Sequence, residues 1–359
     1  MRAFTITRLD RYIIAHVFAL TGIVAMALTA IYTFVTFVTE SRNLGQGAFG
    51  VPQLALYVTL LIPTSIYLLL PIIAMLGTLM GLGTLAAQSE IIAMRAAGVS
   101  LMRIGRSTLL AGALIGVFSL VLGDWLAPIA KVKAETMQAA AREGIKPGML
   151  NVPVWLREND SIIHIKSLLN ETEFSGAEIF KLAPDLSIKS VLTAEQGAYE
   201  AGRWRFTGVK RTDFDAAGTH VSTSPTLDWG EQPSPEVLRL FLLRANAISI
   251  RGLLQLMHYL HVNGLDDREY ALELWRKLIT PLTVMAMMLF TIPFVMGPLR
   301  STGAGQRLLV GVLIGVSFYV INEVTANTGQ LYGWTPILSA GLPTALLVVL
   351  ALLRLRALR

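Results

Sequence analysis

Charge is confined to a few short segments of the chain, and the stretches between them are long and apolar. Tyr12–Thr39, Asn43–Ser89, Ser107–Gly123, Leu278–Leu299, Leu308–Asn322 and Val324–Leu353 contain no Lys, Arg, Asp or Glu. A helix needs about 20 apolar residues to cross a hydrocarbon core, so each run predicts one membrane span. Asn43–Ser89 opens with the turn-like Asn43-Leu-Gly-Gln-Gly47 and runs through Pro52, which predicts one long helix with a leader. The shorter runs extend to about Leu126 and Ala326. Six transmembrane helices result, three on each side of a polar block. The first run is too long for a signal peptide and no small-residue cleavage site follows it, so it is expected to stay as an anchor.

Inside the polar block the period changes from helical to alternating. Val152–Arg157, Ser161–Leu168, Glu178–Leu182, Ser187–Thr193, Arg203–Asp213 and Thr219–Asp228 are short runs split by Gly, Pro, Asn and Asp, as strands are. Around Trp204 the alternation is clear, with Trp204 and Phe206 on one face and Arg203 and Arg205 on the other. An open antiparallel sandwich or roll is expected. Ile250–Val262 follows as an amphipathic helix closed by Asn263-Gly264, and Asp266-Asp267 open the next helix. The resulting division is residues 1–127 for helices one to three, 128–263 for the β block with its flanking helix, and 264–359 for helices four to six.

Composition agrees: 53% of residues are hydrophobic and 15% charged, against about 25% charged in soluble domains. The net charge of +6 leaves nucleic acid, an anionic membrane or an acidic ligand as partners, and the charge map decides among them. Arg2, Arg8, Arg11, Arg95, Arg103, Arg106, Arg300, Arg307, Arg354, Arg356 and Arg359 fall in segments on one side of the membrane, opposed only by Asp10 and Glu90. The positive-inside rule puts that side, with both termini, in the cytoplasm. Basic and acidic residues balance in the 128–263 block, which then lies outside. The high pI reports topology, and no nucleic-acid partner is expected.

Catalytic signatures are absent: the chain has no phosphate loop, no dinucleotide fingerprint, no zincin motif and no nucleophile elbow. It has no cysteine, which excludes disulfides and thiolate metal sites. His258 and His261 have helical spacing but no carboxylate partner, so no metal is expected. Polar features at the membrane boundaries remain. In Gln88–Gly98, Ser89 suits an N-cap, Glu90 the helix start and Gly98 the C′ position, predicting a short surface helix at about 89–98. Spacing alone favours a plain connector. The sharper reading is a docking helix for a cytoplasmic partner, with Glu90 and Arg95 as polar anchors beside Ile91 and Met94.

Leu9-Asp-Arg-Tyr12, Gly45-Gln-Gly47, Gln88-Ser-Glu-Ile91 with Ala97-Gly98, and Gly123-Asp-Trp-Leu-Ala-Pro128 stand in order along the first half. Ile248-Ser-Ile250, Leu274-Trp-Arg-Lys277 with Pro281, and Gly297-Pro-Leu-Arg-Ser301 stand in order along the second. Together they resemble the lipopolysaccharide export permease family (LptF/LptG), nearest its G-type subunit. The resemblance implies a membrane α-helical bundle with an inserted periplasmic antiparallel β-jellyroll-like domain, in the bacterial inner membrane. It implies a half-transporter paired with the F-type paralogous permease on a cytoplasmic ATPase dimer. ATP and Mg bind in that partner, and this chain is no enzyme. Lipopolysaccharide enters sideways from the outer leaflet and passes to a periplasmic jellyroll bridge that includes a membrane-anchored LptC-type protein. Ser89, Glu90, Ile91, Met94, Arg95 and Gly98 become the coupling segment in the ATPase groove.

Lipid A carries phosphates and acyl chains, so its site needs cations at headgroup level above an apolar cavity. Arg42, Lys131, Lys133, Arg276 and Lys277 are the cations expected near the outer side, with Arg42 foremost. Snorkelling to headgroups is the ordinary alternative for them. Phe34, Phe37, Phe318 and Tyr319 are the acyl-chain candidates, against simple helix packing. The lysine common near the end of helix one in this family is absent; Thr36 and Thr39 stand nearest. A non-transporting membrane scaffold for a periplasmic complex, and the paralogous F-type permease subunit of the same exporter, are the remaining alternatives.

Overall fold

The computed structural model describes residues 7–143, 153–170, 172–215, 218–229, 233–241, 243–297 and 303–357. Arg2, Val152, Arg300 and Arg359, and the Gly297-Pro-Leu-Arg-Ser301 motif beyond Gly297, lie outside them. The chain divides into two compact units, one drawing on the stretch ending at Arg42, on Val58–Lys131 and on the chain from Ala271, the other on Asn43–Tyr57 and Val132–Tyr270.

Among the described residues, six helical segments are long and apolar enough to cross a membrane. They comprise α1 (Arg8–Glu40), α3 (Ile62–Ala87), α5 (Leu101–Val121) continued by α6 (Ala127–Glu143), α9 (Arg268–Met296), α10 (Ala304–Leu331) and α11 (Pro336–Ala357). Two short helices, α2 (Val51–Leu60) and α4 (Glu90–Ala96), flank α3. Local chemistry sets the ends. At α1 a capping box closes: Thr7 Oγ1 accepts from the Asp10 N–H, and Asp10 Oδ2 accepts from the Thr7 N–H at 2.8 Å. Pro63 occupies the first turn of α3, where its missing N–H costs nothing. Ser100 caps α5. Two turns differ from the expectation. The stretch read as one helix with a leader is two helices broken at Leu61, and the third span does not stop near Leu126 but continues to Glu143.

That continuation passes through one π-helical turn, Leu122–Leu126, in which the Ala127 N–H reaches back to the Leu122 carbonyl. Pro128 follows and offers no N–H to the carbonyls of Gly123 and Asp124 behind it. The wide turn carries the chain past a proline that would otherwise end the helix.

Helix α3 forms the hub of the membrane unit. Of its most apolar window 61% is buried, against 22% for α1 and 11% for α10. Glycine allows the close contacts. Gly77 and Gly81, four apart on α3, meet Thr21 and Val17 of α1, and Gly311 and Gly315 of α10 receive Leu76, Leu79, Ile72 and Met75 of α3. Lipid tails give no hydrophobic drive to helix pairing, so backbone approach at small residues supplies the packing.

In the other unit, β1 (Val154–Glu158), β2 (Ser161–Asn170), β3 (Glu173–Leu182), β4 (Ile188–Glu200), β5 (Arg203–Asp215) and β6 (Gly218–Asp228) form one antiparallel sheet in sequence order. Alternate residues fill its core: Leu156, Ile163, Ile165, Phe174, Ile179, Trp204 and Phe206, closed by Leu238 of α7 (Pro235–Phe241). Trp204 Nε1 donates to the Pro233 carbonyl at 2.8 Å. β3 and β4 run several residues beyond the expected strands, because Gly176 and Gly197, read as breaks, lie inside them. Gly176 takes a positive φ within β3, and Gly197 leaves the space that the Phe174 ring occupies. Helix α8 (Ile250–Val262) has the expected bounds. Ser249 caps it, and at its far end Gly264 donates to His261 and Leu265 to Leu260, the paired bonds of a left-handed glycine cap.

Candidate functional site

The short helix between α3 and α5 is built as a surface piece with one inward anchor. Gly98 (φ 86°) ends it with the same paired cap: the Gly98 N–H donates to Arg95 and the Val99 N–H to Met94. Its start is unlike the expected one. Ser89 sits at φ 62° with no side-chain cap bond, so a tight left-handed turn, not a serine cap, redirects the chain from α3.

The six coupling candidates divide by face. Ile91 is buried in the cluster that contains Ile13, Leu85, Ile104 and Ile292, with Met94 packed against it. Ser89, Arg95 and Gly98 are exposed. Ile92, 41% exposed, and Ala93 and Ala96 join them on the outer face. The outward face of the helix is therefore Ser89, Ile92, Ala93, Arg95 and Ala96, while Ile91 and Met94 hold the helix to the bundle. Glu90 lies between, its Oε2 accepting from the Tyr12 hydroxyl at 2.8 Å. Next to it the first turn of α1 is tied to α5. Arg103 Nη2 donates to Thr7 Oγ1 at 2.8 Å, Ser107 Oγ donates to Asp10 Oδ1 at 2.8 Å, and Arg103 Nε lies 3.8 Å from Asp10.

A second polar cluster stands where α9 meets the π turn and α10. Lys277 is 2% exposed, and its Nζ donates to the Gly123 carbonyl at 2.7 Å. That is one of the carbonyls Pro128 leaves unserved. Arg276 pairs with Glu323 of α10 at 3.0 Å and lies 3.9 Å from Glu273. Lys131 and Asp124 lie within electrostatic reach of this group. Three of the cations assigned to headgroups thus share one cluster with Asp124, Glu273 and Glu323, and Lys277 already serves the chain's own backbone. Nothing in the spacing of Leu274-Trp-Arg-Lys277 announced this, because the partner carbonyl exists only once the helix takes a π turn.

Arg42 is different. It sits in the 3-10 turn Ser41–Asn43 after α1, exposed and without an ion pair among the described residues. Lys133 on α6 is likewise exposed. Phe34 is 67% exposed and Phe37 39%, on a helix with no buried residue after Val24. Tyr319 is 45% exposed. Phe318 turns inward and lines a groove of about 280 Å³ with Phe290, Ile314, Ser317, Pro343 and Leu347. No group of three metal-ligating side chains occurs among the described residues.

Residues 11–357 match the family model described as "Lipopolysaccharide export system permease LptF/LptG". The lipopolysaccharide export system permease protein LptG of Escherichia coli (strain K12) is 28% identical over 348 residues, covering 96% of each chain. The LptG protein of Haemophilus influenzae is 28% identical over 347 residues, covering 96% of this chain and 97% of that one.

Proposed function

The chain belongs to the lipopolysaccharide export system permease LptF/LptG family, and on that premise we propose the residues by which it works as the G-type permease subunit. The observation that carries the G-type assignment is similarity over nearly the whole chain, through both helical halves and the sheet between them, to proteins named LptG. The protein is a multi-pass membrane protein of the bacterial inner membrane, with both termini in the cytoplasm and the sheet in the periplasm. It pairs with the F-type permease, and the pair rides on a cytoplasmic ATPase dimer that binds ATP and Mg.

Force enters at α4. Its outward residues Ser89, Ile92, Ala93, Arg95 and Ala96 seat in the ATPase, and Glu90 orients the helix from its inner edge. Lipopolysaccharide is met at the outer half of α1 and at α10. Arg42 and Lys133 are the cations with charge to offer a lipid A phosphate. Phe34, Phe37 and Tyr319 offer apolar surface to acyl chains, on helices whose exposed faces need a partner or lipid to cover them. Lys131, Arg276 and Lys277 hold α9 against its neighbours. The sheet passes the lipid to the periplasmic bridge, in which an LptC-type protein is the next jellyroll.

Affinity purification of the chain from membranes, with extraction of bound lipid, tests this reading. An ATPase subunit and lipopolysaccharide are expected in the wild-type complex. Glu90→Arg places a cation where the helix start favours an anion, and is expected to lower lipopolysaccharide export at least about tenfold, the loss of one charge-assisted contact. A complex without ATPase, with export intact in Glu90→Arg, would leave the scaffold reading in its place.

A further inference from the structure

We propose that Tyr12 is a positioning residue for the stroke. Its hydroxyl bond to Glu90 makes α1 the helix that moves with α4, so that the outer half of α1 is the output of the motor. The proposal deepens the reading of α4 as the ATPase-receiving helix and rests on it.

Three observations converge. First, the Tyr12–Glu90 bond joins residues 78 apart in sequence and fixes one carboxylate oxygen at 2.8 Å. A carboxylate has a second oxygen to offer a partner, so Glu90 can bond Tyr12 and an incoming ATPase group together. Second, the contact is the first rung of a ladder up one side of α1. His16, one turn on from Tyr12, meets Thr84 Oγ1 at 2.8 Å, and Val17 and Thr21 then lie against Gly81 and Gly77. The first turn of α1 is also bonded to α5 through Thr7, Asp10, Arg103 and Ser107. Third, this fixation ends midway. Asp10, Ile13, Val17, Thr21 and Val24 are the buried residues of α1, and beyond them the helix continues to Glu40 with none. Ala25 and Leu28 are the last α1 side chains packed against the bundle core. A helix clamped up to there carries a displacement at its clamped end out to the far end, where Phe34, Phe37 and then Arg42 stand.

Tyr12 is 44% exposed and is not a core residue, so Tyr12→Phe removes the hydroxyl without a cavity. The test uses the complete exporter in lipopolysaccharide-loaded vesicles, reading ATPase co-purification, ATP hydrolysis, lipid extracted per ATP and melting midpoint. Tyr12→Phe is expected to leave co-purification, hydrolysis and melting midpoint near wild type while lipid extracted per ATP falls about five- to tenfold, the scale of one solvent-accessible hydrogen bond. Glu90→Gln keeps an acceptor for Tyr12 and should retain most extraction. Tyr12→Phe added to Glu90→Ala should cost nothing further, since the bond is already gone. Unchanged extraction per ATP in Tyr12→Phe, or losses that multiply in the double variant, overturns the proposal. So does a Tyr12→Phe chain whose melting midpoint falls together with its hydrolysis, which marks a merely structural tyrosine. If Glu90→Ala and Ile92→Asp both keep full co-purification and extraction, the ATPase reading of α4 itself fails, and the co-purification measurement separates that result from the others.

Discussion

Single residues in this protein are decided by what they find once the chain is folded, and Glu158 shows it in the β unit. Its carboxylate is half-buried at the end of β1, where burial pushes its pKa up despite a hydrogen bond from Trp229. One of its oxygens, Oε2, has no partner among the described residues. A carboxyl with a raised folded-state pKa keeps its proton to higher pH in the folded chain than in the unfolded one. Stability is therefore lost as pH rises from the unfolded value toward the folded one, and the penalty is complete above it. Glu158→Gln should raise the melting midpoint of the sheet signal in circular dichroism at pH 7.5, by the equivalent of no more than about 1 kcal/mol for a half-exposed group. At pH 4 the gain should vanish. An equal gain at both pH values would mean that packing and not charge burial is responsible. Lys277 is the opposite case: a lysine in an apolar helix reads as a snorkelling cation, yet its nitrogen replaces an N–H that Pro128 lacks. Neither partner alone could have suggested the other.

At the scale of elements, glycine has three uses here, and the sequence disclosed them unequally. Gly98 and Gly264 end helices with the paired bonds of a left-handed cap, and both were legible because a glycine just past an apolar helical run has that meaning. The bounds of α8 and the start of α9 were legible as well, the first from its apolar period closed by Asn263-Gly264 and the second from Asp266-Asp267. Gly176 and Gly197 lie where the expected strands stop short, yet both lie in unbroken register, since a strand glycine and a break look alike until the partner strand is known. The third use, close helix packing, leaves a weak trace. Gly77 and Gly81 sit four apart on α3, but what makes them contact residues is the presence of Thr21 and Val17 opposite, which only the fold supplies. The difference can be measured within one chain. A side chain at Gly77 would run into the α1 backbone at Thr21, while Gly22 on α1 has open space. Gly22→Ala should keep or raise the melting midpoint, by up to about 1 kcal/mol of helix propensity. Gly77→Ala should lower it by about 1–3 kcal/mol, the usual cost of overpacking. Equal effects would mean that α1 does not pack on α3 at this glycine.

For the whole molecule, the charge map carried more information than any motif. Six uncharged runs became six membrane-crossing helical segments, because a span tolerates little else. The alternating block between them became one sheet. What the map could not give was the side chains that share a cluster, since Lys131, Arg276 and Lys277 looked alike as outer cations until Glu273, Glu323 and the Gly123 carbonyl were beside them. It also could not give the direction each face of α4 looks. It does predict an orientation that can be tested cleanly, because the chain has no cysteine of its own. Single cysteines placed at exposed Thr219 in β6 and Thr335 between α10 and α11 should react with a membrane-impermeant maleimide in intact spheroplasts. Cysteines at exposed Ala93 in α4 and Ala304 at the start of α10 should react only after permeabilisation. The four positions lie in four different segments, so the pattern tests the sign of every crossing between them. Labelling of Ala93 from outside would reverse the orientation, moving α4 away from any cytoplasmic ATPase and the sheet into the cytoplasm. The Arg residues that flank the spans would then face outward against the membrane's usual charge asymmetry, and the permease reading would lose both its motor and its delivery route at once.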